Sequence, residues 1–197
     1  MAAILINLFY NQRARQPSPD APHTAFAAPE TVQHVRRFHH TLPTYRPTPL
    51  IALEQLARSL GVGRIWIKDE SKRFGLKAFK GLGASYAVCA TLANHLDMPP
   101  PLDFTDFSQP RIRKAIAAIT LVTASDGNHG GAVAWMAAQL GCRSKVLLPR
   151  GTIAARLDAI RTFGGQAIVI DGNYDDAVRR AARQADEQGH FLVQDTA

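Results

Sequence analysis

The chain has 197 residues, 46% of them hydrophobic, and a formal net charge of +7, so it is long enough for one ordinary domain, or one domain with part of another. The basic residues are dispersed and are not interleaved with aromatic ones, which argues against a nucleic-acid partner and favours a moderate attraction for small anions. No stretch is apolar enough to span a membrane, and Cys89 and Cys142 form no paired motif, so we expect a reduced cytoplasmic protein without a disulfide or a metal site.

The first quarter of the chain has little periodicity. Residues 1–10 hold a short apolar run with no basic region before it, which predicts a strand or a buried arm rather than a signal peptide. The Pro- and Ala-rich residues 11–30 predict an extended arm or a loop, and residues 31–40 predict a helix. Residues 45–50, YRPTPL, predict an extended corner, because a residue that precedes proline is disfavoured in the helical region.

From residue 49 onward, apolar residues recur with the periods of alternating helices and strands. We predict helices at 49–61, 79–96, 130–141, 152–164 and 174–189, strands at 64–70, 118–124, 144–149, 166–171 and 191–194, and a proline-rich loop at 97–114. Such alternation with short links is typical of βαβ units, so the predicted fold class is α/β, with a parallel, doubly wound sheet and flanking helices. Ligands of these sheets bind at the carboxyl ends of the strands.

One candidate site is the glycine-rich segment ASDGNHGG, residues 124–131, between a predicted buried strand and a predicted helix. Gly127 permits a positive φ, and the helix start offers unpaired N–H groups that attract an anion or a polar ring substituent. An ordinary helix cap explains one polar residue in such a place. Here four occur within five positions, which favours a binding loop: Ser125, Asp126, Asn128 and His129.

A second candidate is Lys80, where a charged loop meets a predicted helix in the segment KDESKRFGLKAFKGLG. The N-terminus of a helix is electropositive and disfavours an ammonium group. If it is also shielded from water, a lysine in this place is a usable amine nucleophile. Taken alone, the residue is better explained as a solvated surface lysine, because lysines are almost always exposed.

The two candidates together resemble the tryptophan-synthase-β-like family of pyridoxal-phosphate enzymes (fold type II). The resemblance covers roughly residues 45–197 and is carried, in this order, by RPTPL, IWIKDES, AFKGLGASYA, TASDGNHGGAVA, KVLLPRG and RLDAIRTFGGQAIVIDGNYDDAV. It implies that Lys80 holds pyridoxal 5'-phosphate as a Schiff base and that Asn128 contacts the ring hydroxyl. The loop around the cofactor ring would also include Ser125, Gly127 and His129.

Three details are similar to the diaminopropionate ammonia-lyases within this family. They are DES-x-RFGL-x-AFK around the lysine, Asp126 in the loop, and NYDDAV with LVQDTA near the end. The resemblance implies elimination of ammonia from 2,3-diaminopropionate, giving pyruvate and ammonia, with Lys80 as the base on one face of the substrate and Asp126 on the other. The alternatives are a threonine or serine dehydratase type of the same fold, in which Asp126 is only a cap, and a non-catalytic remnant.

The resemblance also implies a chain about twice as long as this one. Residues 1–82 are then expected to form an incomplete large cofactor-binding domain, residues 83–190 a small α/β domain, and residues 191–197 a strand that returns toward the rest of the large domain. The sequence has no glycine run for the cofactor phosphate and no identified partner for the pyridine nitrogen. We therefore expect a truncated chain with an amino acid as its small-molecule substrate, and a homodimer only for a complete chain.

Overall fold

The computed structural model describes residues 28–195 of the chain, which divides into two compact units, Met1–Gln33 and His34–Ala197. The described residues of the first unit, 28–33, contain the first turns of helix α1 (Pro29–Thr41). This helix confirms the prediction for residues 31–40. The predictions for residues 1–10, and for most of the arm at 11–30, lie outside the described residues.

A two-stranded antiparallel sheet follows α1 in the second unit. Strand β1 (Leu50–Ala52) pairs with β2 (Trp66–Lys68), with Ile51 opposite Ile67, and the short helix α2 (Glu54–Ser59) lies between them in sequence. The prediction of one helix over residues 49–61 was therefore wrong for its first turn. Residues 50–52 are extended because their backbone pairs with β2, a non-local partner that overrides helical periodicity.

The remaining elements form the α/β part of the chain. In order, they are α3 (Lys80–His95), α4 (Pro110–Ile116), β3 (Thr120–Ala124), α5 (Asn128–Leu140), β4 (Arg143–Leu148), α6 (Ala154–Thr162), β5 (Gln166–Val169), α7 (Tyr174–Gln188) and β6 (Phe191–Leu192). The strands make one parallel sheet in the order β5-β4-β3-β6. Helices lie on both faces, which confirms the predicted fold class.

The region predicted as a loop, residues 97–114, contains more helix than expected. A 3-10 helix (Phe104–Ser108) begins after Asp103, whose carboxylate accepts from the Thr105 N–H, and α4 begins at Pro110. Both are stable because Phe104, Phe107 and Ile116 are buried in the core. The predicted domain boundaries near residues 82 and 190 stay predictions.

Strand β3 is central, and all five of its residues are buried. On one face, Val122 and Ala124 pack with Ala177 and Ala181 of α7. On the other face, the core joins Leu121 to residues of α3 and α5. This packing places the start of α3 and the carboxyl ends of β3 and β6 in the same part of the molecule. Within residues 28–195, no helix is long and apolar enough to cross a membrane.

Candidate active site

The candidate site lies at the carboxyl ends of the neighbouring parallel strands β3 and β6. The loop of residues 125–127 continues from β3 into α5, and residues 193–195 continue from β6. Lys80 reaches the same place from the first position of α3. The two segments that the sequence analysis selected thus lie beside residues 193–195, which follow β6 and were not selected as site residues.

Lys80 is paired with a carboxylate. Its Nζ donates a hydrogen bond to Oδ2 of Asp195 at 2.5 Å, and the two side chains are 33% and 23% exposed. Burial raises the pKa of the Asp195 carboxyl, but the hydrogen bond from Lys80 and the charges of His129 and Lys80 outweigh this effect, so its pKa lies below the ordinary value. Asp195 thus holds the Lys80 side chain at the carboxyl edge of the sheet.

The loop before Lys80 is fitted closely to α3. Gly81 allows this fit, since a Cβ atom there would lie 2.8 Å from side-chain carbons of both Phe74 and Leu76. Phe74 itself has a positive φ of 50° and stacks on Trp135 with ring centroids 4.7 Å apart. A bulky residue with positive φ persists only where packing holds it. This packing therefore fixes the backbone between the loop and α3, and with it the position of Lys80 at the start of the helix.

A buried ion pair anchors the other end of this loop. The Arg73 side chain is 4% exposed, and its Nε donates to Oε2 of Glu70 at 2.8 Å. Arg73 also donates to the Arg46 carbonyl at 2.8 Å and to Oγ1 of Thr48 at 3.1 Å. The Arg73 hydrogen bond is the main reason why the pKa of Glu70 is lowered to about 2, because it outweighs the opposing effect of burial.

We expect Glu70→Ala to destabilise the chain by about 3 kcal/mol at neutral pH, because it leaves the buried Arg73 guanidinium without its carboxylate. The matched control is Asp158→Ala, which removes a pair with Arg161 of the same i,i+3 spacing whose side chains are 67% and 58% exposed, and which should cost less than about 1 kcal/mol. Urea unfolding measures both values, and equal costs would contradict the expectation.

The same pair predicts an acid dependence. The pKa of Glu70 falls from 4.5 to about 2 on folding, so its contribution to stability is complete above pH 4.5 and is lost as the pH falls toward 2. The difference in unfolding free energy between wild type and Glu70→Ala should therefore shrink over this range. A difference that is constant between pH 6 and pH 2.5 would contradict it.

The loop after β3 is organised around Ser125. This side chain is buried, and its Oγ accepts hydrogen bonds from the N–H groups of Gly127 at 2.9 Å and Gly130 at 2.8 Å. Gly130 is required for space, because a Cβ there would lie 2.4 Å from Cγ1 of Val146. Ser125 thus caps the first turn of α5, as the interpretation of this loop as a helix cap predicts.

Two of the predicted site residues face solvent. The Asp126 side chain is 76% exposed, its backbone carbonyl accepts a hydrogen bond from Nη1 of Arg156, and its Oδ2 lies 3.9 Å from the same nitrogen. Asn128 is exposed and lines a groove of about 410 Å³, together with Gly127, Arg156 and Lys77. The structure gives Asp126 no contact with Lys80.

His129 connects the loop to the end of β6. It is buried, its Nε2 lies 3.0 Å from the Val193 carbonyl oxygen, and its Nδ1 lies 3.9 Å from Oδ2 of Asp195. Gln194 adds a second connection, since its Oε1 accepts from the Ala124 N–H at 3.1 Å. Both contacts fix the two residues that directly precede Asp195.

Asp195, Gln194 and Tyr174 are the residues that the sequence analysis missed. Tyr174, the first residue of α7, has its hydroxyl 3.5 Å from Oδ1 of Asp195. The available signal was a carboxylate directly after a predicted strand in LVQDTA, at the edge where ligands bind. Asp195 thus places a carboxylate beside the partly exposed amine of Lys80 and joins it to the Tyr174 hydroxyl. An accessible lysine amine is a group that can attach a carbonyl compound covalently.

Comparisons with known proteins agree with this chemistry. Residues 41–197 match the family described as "Pyridoxal-phosphate dependent enzyme". The diaminopropionate ammonia-lyase of Salmonella typhimurium is 49% identical over 164 residues, which are 83% of this chain and 41% of that protein. The biosynthetic L-threonine dehydratase of the same organism is 32% identical over 84% of this chain and 28% of its own length. The crystal structure of the apo Escherichia coli diaminopropionate ammonia lyase superposes with a TM-score of 0.79 and 44% identity, over 86% of this chain and 46% of that one.

Proposed function

Since the chain belongs to the family of pyridoxal-phosphate dependent enzymes, we propose that it binds pyridoxal 5'-phosphate on Lys80 and takes part in the elimination of ammonia from 2,3-diaminopropionate. The products would be pyruvate and ammonia. The proposal is supported most directly by the position of Lys80, whose Nζ lies 2.5 Å from Asp195 at the carboxyl edge of the sheet, beside the 125–130 loop. The greater identity to the ammonia-lyase than to the dehydratase, 49% against 32%, favours diaminopropionate as the substrate.

The residues present fit the reactive end of this cofactor. Lys80 is partly accessible, so its amine can be reached by an aldehyde. The amide of Asn128 makes no hydrogen bond within residues 28–195 and lines the groove, so it is free to meet the ring hydroxyl. Ser125, Gly127 and His129 would hold the loop that lies against the ring. The bound cofactor would supply an electron sink that makes the α-proton of an amino acid removable.

Two groups are proposed to move the α-proton. Lys80 would act on one face of the substrate, and Asp126 would act on the other. A positioned base of this kind contributes about 10²–10⁴-fold to a rate. Because Asp126 is paired with Arg156 and largely exposed, its carboxylate has to turn toward the substrate before it can act.

The phosphate of the cofactor has no identified cradle in this chain. No run of glycines occurs, and the chain spans 41% of the length of the Salmonella typhimurium relative. Activity, substrate preference and a family-type homodimer are therefore proposed on the basis of relatives that are longer than this chain. The assignment of residues 1–82 to a large domain, 83–190 to a small one and 191–197 to a returning strand is part of the same proposal.

The experiment is to incubate the chain and pyridoxal 5'-phosphate with L- or D-2,3-diaminopropionate or L-threonine, and to measure ammonia and the 2-oxo acid formed. We expect pyruvate from diaminopropionate and little 2-oxobutyrate from threonine. Faster turnover of threonine would favour the dehydratase alternative. Ammonia from none of the three compounds would favour a non-catalytic remnant, and would contradict the proposal for the chain as it stands.

A further inference from the structure

A cleft of about 400 Å³ lies at the end of the sheet opposite the candidate active site. The residues that line it include Thr120, Arg143, Lys145, Gln166 and His190, all at the amino ends of the strands. The candidate active site follows the other end of β3, so this strand of five residues, about 13 Å long, separates the two places. The cleft is therefore distinct from the place where we propose that the cofactor binds.

The register of the sheet brings the polar side chains of the cleft together on one face. Val122 packs against α7, and Thr120 shares its face because side chains two residues apart on a strand point the same way. Thr120 pairs with Arg143, and Val122 pairs with Lys145. Lys145 pairs in turn with Gln166 on β5. Thr120, Arg143, Lys145 and Gln166 thus lie on the α7 face of neighbouring strands.

His190 completes this group from the end of α7. It lies beside Thr120, because β6 begins directly after it and pairs with β3 in parallel register. Burial lowers the pKa of His190, and the charges of Lys145 and Arg143 lower it further. The two basic side chains therefore lie close enough to His190 to act on its charge, and the cleft has a positive potential.

Several groups at the cleft have unused hydrogen-bonding capacity. The Thr120 side chain is only 6% exposed, and its hydroxyl has no hydrogen-bond partner among residues 28–195. In the same part of the chain, Nδ1 of His190 is buried without a partner. The Nζ of Lys145 donates one long hydrogen bond, 3.3 Å, to the side chain of Gln188. Since buried polar groups are normally paired, these groups are suited to meet a ligand.

The basic residues at this edge have a simpler explanation, which covers only part of the site. Helices α5 and α7 end here, and the C-termini of helices favour cations. A carbonyl near a helix end does bind Arg143, which donates to that of Ala118, just after α4. At the ends of α5 and α7, however, the N–H groups of Gly141 and Gly189 already donate to carbonyls of the last turn. This pairing weakens the repulsion of an anion and leaves the Thr120 hydroxyl unexplained.

We propose that the cleft binds the phosphate group of a small molecule. The side chains that line it and can donate hydrogen bonds to such a group are those of Thr120, Arg143, Lys145 and Gln166. No carboxylate is among the described residues that line the cleft. A phosphate group has three or four acceptor oxygens for these donors, and its hydrogen bonds with cations are among the strong ones. A volume of about 400 Å³ is typical of small-molecule sites, which favours a phosphate monoester over the free ion. The proposal does not rest on the proposed function.

The test is calorimetric titration of the chain with glycerol 3-phosphate and with inorganic phosphate, at physiological ionic strength to screen weak surface attraction. We expect one saturable site for glycerol 3-phosphate. Lys145→Met and Thr120→Val should each weaken its binding at least about 10-fold, the effect of one hydrogen bond to a charged group. No binding of either compound would overturn the proposal. Equal affinity for the two would contradict the preference for a monoester and assign the site to the free ion.

Lys72→Met is the matched control for the change of charge. Lys72 is exposed and lies in the loop before Lys80, outside the cleft. We expect it to bind glycerol 3-phosphate as the wild type does. If Lys72→Met weakens binding as much as Lys145→Met, the anion is attracted only by the general positive charge of the chain, and the proposal is wrong.

Gln166 provides a variant that does not disturb the core. It is exposed on β5, the edge strand of the sheet. Gln166→Glu places a carboxylate beside Lys145, where it repels a phosphate group and competes for the ammonium, so binding should be lost. Gln166→Ala should lose less than about 10-fold, because it removes only a neutral donor. Wild-type affinity in Gln166→Glu would show that the ligand binds elsewhere.

The position of the ligand can be measured directly through His190. In ¹⁵N NMR titrations of histidine-labelled chain, bound glycerol 3-phosphate should raise the pKa of His190, because its charge offsets those of Lys145 and Arg143. His39 is the internal control, since its pKa is lowered mainly by burial and it does not line the cleft. The pKa of His39 should not change. Saturable binding that leaves the pKa of His190 unchanged would overturn the proposal.

Discussion

Lys80→Ala is expected to abolish covalent attachment of pyridoxal 5'-phosphate to the chain. The other described lysines of the surrounding segment do not share its position. Lys68 donates to the carbonyl of Thr48, Lys72 is exposed, and Lys77 lines the groove of about 410 Å³ beside Asn128. Lys80 differs from them because a carboxylate, that of Asp195, holds its amine at 2.5 Å at the carboxyl edge of the sheet. Loss of this one amine therefore leaves no group suited to hold the cofactor.

The measurement is the visible absorbance of the chain after incubation with the cofactor, followed by borohydride reduction and mass spectrometry of the peptides. The modified residue should be Lys80 in the wild type, and no modified peptide should remain in Lys80→Ala. Lys77→Ala is the matched control, because it removes a nearby exposed amine from the same loop. Attachment that survives in Lys80→Ala would show that this lysine is not the cofactor ligand.

The order of elements around the site was predictable because it depends on local patterns. Strand β3 reads as a continuous apolar run, and the glycine-rich loop after it is followed at once by the apolar helix α5. Because the sheet is parallel, this loop lies at the carboxyl ends of the strands, which is where ligands of such sheets bind. The error at residues 49–61 has a non-local cause, since the strand at 50–52 exists through pairing with residues 66–68.

Asp195 illustrates what a single sequence leaves open. It is 115 residues from Lys80, and the two meet only because β6 pairs with β3 rather than with its nearest neighbour in sequence, β5. Its segment, LVQDTA, was noted only as a motif of the resemblance. Strand order in a parallel sheet depends on crossover connections, which hydrophobic periodicity does not specify. Asp126, in contrast, was easy to select because it lies in the glycine loop, although the structure places it toward solvent.

The roles of the two aspartates can be separated by the chirality of the substrate. If Asp126 is the base on one face, we expect Asp126→Asn to lower the turnover of one isomer of diaminopropionate, the D isomer, by about 10²–10⁴-fold, because an amide cannot accept the proton. Turnover of the L isomer, which uses Lys80, should change little. Asp195→Asn should slow both isomers, since Asp195 contacts the lysine that both reactions need.

Asp171→Asn is the matched control for both substitutions. Asp171 also lies just beyond the carboxyl end of a strand, β5, and it is paired with Arg150 at 2.7 Å with 85% of its side chain exposed. Asp171 is therefore exposed and paired with an arginine, like Asp126, but it does not belong to the 125–127 loop. Its substitution should leave the turnover of both isomers unchanged. If Asp126→Asn behaves like this control while Asp195→Asn removes the turnover of the D isomer alone, then Asp195 is the second base. The pairing of Asp126 with Arg156 would in that case only hold the loop, because a base that acts on the substrate must be able to leave its surface partner.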